Sequence, residues 1–166
     1  MSTLQDLESR IMALEDLEAI KRLKARYFRC LDRQLWDEMR ECFVEDATTA
    51  YQDGELTHQG VDAIIKFLSE SLGPAMKHGR KGMHLGHHPE IDLTSETTAT
   101  GIWALDDQSV DSEAKTAKQM RAHYHDTYVK VRGEWKIQHT GYVRLYDVDW
   151  QVPSLSVAAD YRTGKT

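Results

Sequence analysis

The chain has 166 residues, 40% hydrophobic and 29% charged, with a net charge of −6 and a pI near 5.7. That is the composition of one globular domain with a sizeable core, and its acidity argues against nucleic acid or an anionic membrane as a partner. No apolar run approaches the roughly 20 residues of a membrane span. The acidic, helix-forming start lacks the form of a signal peptide. Cys30 and Cys42 lack CxxC spacing and read as buried, reduced thiols, so the expectation is a cytoplasmic protein.

In chain order, Leu4, Leu7, Ile11 and Leu14 step by three and four and predict an amphipathic helix starting at Ser2/Thr3. Its narrow apolar stripe is suited to docking on the body or on a neighbouring subunit. Leu17, Ile20, Tyr27, Phe28 and Leu31 continue the helical pattern until Asp32-Arg33-Gln34 breaks it. A short helix is expected at 36–43, a strand at 47–52, a turn at Asp53-Gly54 and a second strand at 55–59. Val61, Ile64, Ile65, Phe67, Leu68 and Leu72 mark a further helix, which Gly73-Pro74 should stop. Residues 75–81 then read as a basic loop.

The segment 83–107, MHLGHHPEIDLTSETTATGIWALDD, predicts a hairpin turning at 94–96. Folding there brings His84, His87 and His88 to the same end as Asp106 and Asp107. Imidazole beside carboxylate is a general base with its orienting group. The acidic stretch 108–115 reads as a variable loop, 117–131 as a long strand, and 134–146 as its antiparallel partner. On that last strand, strict alternation puts Trp135, Ile137, His139, Val143 and Leu145 on one face. From residue 147 the pattern dissolves into an irregular tail. Helices first and antiparallel strands afterwards predict an α+β fold, helices packed on a curved sheet around a cavity.

Four stretches together resemble a known family: RYFRCLDRQLWDEM (26–39), MHLGHHPEI (83–91), SETTATGIWALDD (95–107) and GYVRLYD (141–147). The chain resembles the SnoaL-like branch of the nuclear transport factor 2-like superfamily, and within it the bacterial bile acid 7α-dehydratases. The resemblance implies one domain over 1–166, its core at about 15–147, shaped as a cone-like α+β barrel of antiparallel strands. It implies cofactor-independent proton abstraction and elimination from an apolar, steroid-like or polycyclic hydroxy-ketone, and a homo-oligomer, dimer or trimer.

Residue by residue, the dehydratase pattern falls on Tyr27, Asp32, Tyr51, His84, Asp107 and Arg144. His84 would be the base, with Asp107 or Asp32 orienting it. Tyr27 would hold the developing oxyanion, and Tyr51 and Arg144 would bind substrate oxygens. One departure stands out: 108–117, QSVDSEAKTA, lacks the tyrosine that follows the second carboxylate in the bile acid enzymes. Two other readings compete. One is a non-catalytic ligand-binding or assembly domain of the same fold. The other is a metal site on the H-x-H pair His123 and His125, with His84, His87 or His88 as third ligand. P-loop, GxGxxG and nucleophile-elbow patterns are missing, which argues against nucleotides, flavins and acyl-enzymes.

Overall fold

The computed structural model describes residues 3–77 and 79–156, the side chains of 74–77 excepted. Helix α1 spans Leu4–Arg33 without interruption. Thr3 caps it by accepting a hydrogen bond from the Asp6 N–H, and Ser2 lies outside the described residues. Gln34 ends it in the left-handed region, its N–H turned back to the last carbonyls. Ile20, Leu23, Tyr27 and Leu31 recur at helical spacing and are all buried. Each such aliphatic side chain contributes about 1.5–3 kcal/mol by leaving water.

A short helix, α2, follows at Trp36–Arg40. Strand β1 runs Phe43–Tyr51, a 3-10 turn occupies Gln52–Gly54, and β2 is Leu56–Gln59. Helix α3 covers Val61–Lys77, one turn past the expected stop. A proline forfeits one helical hydrogen bond, and this helix continues past that loss. Strands β3 (Arg80–Leu93), β4 (Thr98–Asp111), β5 (Thr116–Val131) and β6 (Glu134–Gln151) complete the sheet. Residues 80–81 of the expected basic loop and 108–111 of the variable loop are strand, because Arg80 to Met83 pair with Gln108 to Asp111, while 75–77 belong to α3 and 112–115 form the turn. His78 lies outside the described residues, as do 157–166 of the expected tail.

The six strands lie in the order β2-β1-β6-β5-β4-β3. Two expectations are corrected. The sheet is mixed, because β1 pairs parallel to β6, and it is curved but unclosed, with β3 and β2 at its edges. The faces of β6 also switch. Register shifts opposite Tyr128/Thr127 and Ala122/Arg121 leave Gln138 and Leu145 unpaired. One extra residue inverts alternation, so Trp135 and Ile137 are buried but Thr140, not His139, follows them inward. Val143 and Leu145 end on the outer face, 53% and 58% exposed. The helices cover the inner face, where the core gathers. No described helix is long and apolar enough to cross a membrane.

Candidate active site

The β3–β4 hairpin sets His84 directly opposite Asp107. Strand β3 is the sheet edge, so its outer backbone groups need other partners. Asp32, in the last turn of α1, supplies one: its carboxylate accepts the His84 backbone N–H at 3.1 and 3.2 Å. The same carboxylate meets Nδ1 of the ring at 2.6 Å. Asp32 thereby pins both the strand and the imidazole. Asp107 Oδ1 lies 3.8 Å from the other ring nitrogen, Nε2, too far for a direct hydrogen bond. Asp32 is the contact that orients the ring, and Asp107 stands across the gap that Nε2 faces.

His84 is only 13% exposed at its side chain and stacks on Phe28 with an interplanar angle of 9°. Burial disfavours the imidazolium, but the Asp32 hydrogen bond and the charges of Asp107 and Asp32 outweigh it. The pKa therefore rises above the ordinary 6.5, while the Lys24 ammonium pulls the other way. With Nδ1–H committed to Asp32, neutral His84 keeps its lone pair on Nε2.

Nε2 and Asp107 belong to a partly open cavity of about 180 Å³ beneath α1 and α3. Its walls are largely apolar, including Leu31, Leu56, Phe67, Leu68, Leu105 and Met120. Tyr27 and Tyr51 face it with their hydroxyls 3.2 Å apart. Burial raises both phenols well above their ordinary values, so both stay protonated as hydrogen-bond donors. Tyr124 and Tyr142 complete an aromatic wall, their rings packed edge to face at 5.6 Å. A wider, more open cleft of about 500 Å³ lies on the other side of His84 and reaches Asp32, Arg29 and Trp103. The smaller cavity is the better site, because His84, Asp107 and the tyrosines converge there.

The structure thus brings together Tyr27, Tyr51, His84 and Asp107 around one cavity, with Asp32 behind His84. Arg144 is the exception. It does not line the cavity; its backbone N–H and guanidinium bind the Asp53 carboxylate at 2.6 and 3.1 Å. That pairing secures the turn bearing Gln52, so Arg144 shapes the cavity from outside. His87 and His88 are exposed near the register shift in β3. His123 and His125 point to the outer face of β5, in phase opposite to Tyr124. No group of three or more metal-binding side chains converges among the described residues.

Sequence reading missed Tyr124, Tyr142 and a buried polar chain behind them. Lys24 and Asp126, both fully buried at their side chains, pair at 2.7 Å. Asp126 also accepts hydrogen bonds from Tyr128 (2.6 Å) and Thr140 (2.7 Å). Trp103 donates onward to Tyr128 at 2.9 Å. A signal was present: Lys24 interrupts the apolar stripe of α1, and Asp126 falls in phase with Tyr124 and Tyr128.

The sequence profile of SnoaL-like domains matches residues 12–141, and the chain belongs to that family. Among solved structures, a Novosphingobium aromaticivorans protein provisionally named scytalone dehydratase is similar, with a TM-score of 0.76 and 26% identity. The match covers 95% of this chain and 99% of that one. Hexachlorocyclohexane dehydrochlorinase LinA type 2 superposes with a TM-score of 0.78 at 17% identity, over 89% and 97% of the two chains. A nuclear transport factor 2-like protein of N. aromaticivorans gives 0.76 at 23%, over 87% and 92%. At the last two identities the likeness is one of fold.

Proposed function

We propose that this protein is a cofactor-independent carbon–oxygen lyase, with isomerase chemistry open to the same groups, acting on a small apolar cyclic hydroxy-ketone. The observation that carries this is the alignment of His84: Nδ1 tied to Asp32 at 2.6 Å, Nε2 turned to a cavity shared with the Tyr27–Tyr51 pair. The substrate carbonyl accepts a hydrogen bond from Tyr27, itself backed by Tyr51. Nε2 removes the proton alpha to that carbonyl, and the developing enolate oxygen is held by the phenol. The carbon–oxygen bond one carbon further then breaks. The imidazolium returns its proton to the departing hydroxyl, which leaves as water, so His84 ends neutral and no cofactor is consumed. Asp32 and Asp107 stabilise the imidazolium in between.

A dehydratase-named relative at 26% identity and a dehydrochlorinase of the same fold support an elimination. The resemblance to bile acid 7α-dehydratases supports the roles of His84, Asp32, Asp107 and Tyr27. The cavity volume argues for a smaller substrate than a steroid. About 180 Å³ is close to the ~150 Å³ that encloses benzene and below the ~300–1,000 Å³ of drug-sized pockets. That volume suits the one- or two-ring part of a substrate.

The test is a panel of one- and two-ring β-hydroxy-ketones, followed by the ultraviolet absorbance of the enone product. The wild-type protein turns over at least one, with or without chelator, and His84→Ala loses about 10²- to 10⁴-fold in kcat/KM. Binding without turnover across the panel would favour the non-catalytic reading, and loss of activity with chelator the metal one.

A further inference from the structure

The proposed elimination leaves one buried cation without a role. Lys24 is wholly enclosed, and a buried ion pair is weak evidence for stability, because two desolvated charges often do no better than apolar side chains. Its position is informative. The ammonium has three protons; Asp126 Oδ2 at 2.7 Å and Thr140 Oγ1 at 3.3 Å receive two. The third has the face of the Tyr124 ring, whose centroid is 3.6 Å from Nζ. The Tyr27 and Phe28 centroids lie at 4.6 and 5.1 Å. These are the rings that wall the cavity and, in Phe28, the ring on which His84 stacks. The pair is also lopsided. Asp126 spreads its charge over Lys24, Tyr128 and Thr140, whereas the ammonium also meets the aromatic wall.

We propose that Lys24 is a positioning residue of the His84 site: its ammonium holds together the Tyr27 and Tyr124 rings that wall the cavity and the Phe28 ring on which His84 stacks. This rests on the reading of His84 as the base. Asp32 from α1 and Asp107 from β4 favour the imidazolium and the Lys24 ammonium opposes it, while Lys21, Arg29 and Arg33 line the open cleft on the other side of the ring. Across an aromatic interior little water intervenes to screen that opposition. Asp32 and Asp107 orient and polarise the ring, and the Lys24 ammonium tempers the upward pull that they exert on its pKa.

The experiment is an NMR titration of the His84 ring in ligand-free protein, wild type against Lys24→Met. The expected result is a midpoint moved to higher pH, matched by the same displacement of the acid limb of kcat/KM. Because Lys24→Met strands the Asp126 carboxylate, Lys24→Met/Asp126→Asn provides a variant with no lone buried charge, checked for folding by circular dichroism. It too should titrate above wild type. A folded variant in which His84 titrates at the wild-type pH overturns the proposal, and so does activity lost with no displacement of the limb, which a structural role alone would give. The titration uses no substrate, so failure to find turnover would count against the elimination and leave this result standing.

Discussion

His84 depends on Asp32 twice, through its ring and through its backbone N–H. Replacing Asp32 with Asn removes a charge and a strong acceptor that favour the imidazolium. The acid limb of kcat/KM should therefore move to lower pH in Asp32→Asn while kcat falls, because an amide can fix the wrong tautomer. An unmoved limb would exclude Asp32 as the orienting group. The same raised pKa links to stability. A group that holds its proton more tightly when folded stabilises the fold fully below its unfolded value, near 6.5, and loses that contribution as pH rises through its folded value. The gap in Tm between wild type and His84→Gln should thus be wider at pH 5.5 than at pH 8.5, by thermal denaturation.

Two glycines govern how elements approach the site. A Cβ on Gly141 of β6 would lie 2.6 Å from the Ala50 carbonyl oxygen, which is backbone of the parallel neighbour β1. Nothing there can swing aside, so Gly141→Ala should cost about 1–3 kcal/mol in urea denaturation and loosen Tyr51 next to Ala50. A Cβ on Gly86 of β3 would lie 2.5 Å from Phe28 Cε2, the far end of a side chain. Phe28 is itself buried between Tyr27, Tyr124 and His84, so its ring tip can only shift, at the expense of its stack on His84. Gly86→Ala should therefore be milder in stability than Gly141→Ala but more damaging to kcat. The reverse order would mean that the Phe28 stack contributes nothing to His84.

At the scale of the molecule, apolar surface is left over. The outer face of β6 exposes Val143, Leu145, Tyr146, Val148 and Trp150, and the first turns of α1 expose Leu4, Leu7, Ile11 and Leu14. The stripe on α1 is not covered by its own subunit. Contiguous apolar surface of this kind marks an interaction face, and closed symmetric assembly is the common means of burying it. We propose a homo-oligomer, dimer or trimer, joined through the β6 outer face. Leu145→Glu/Val148→Glu should dissociate it, read by light scattering at micromolar concentration. A wild-type mass near the 19.1 kDa of one chain would refute the assembly.

Local chemistry was legible in the sequence because it depends on near neighbours. The helical spacing of Ile20, Tyr27, Phe28 and Leu31, the hairpin turn at 94–96 and the gathering of His84 at the same end as Asp106 and Asp107 all follow from periodicity and turn residues. The exact pairing of His84 with Asp107 depends instead on a register shift between His87 and Glu90. The pattern on Tyr27, Asp32 and Tyr51 came through family resemblance, since nothing local ties α1 to the distant β3. Tertiary structure decided the rest. That Asp32, and not Asp107, holds Nδ1 depends on how the end of α1 meets an edge strand. That Arg144 turns to Asp53 and Thr140 turns inward depends on two extra residues in β6, which alternation alone cannot reveal. The Lys24–Asp126 pair joins residues 102 positions apart on different elements. Each is an ordinary surface residue by type, and only burial of both at one point makes them partners.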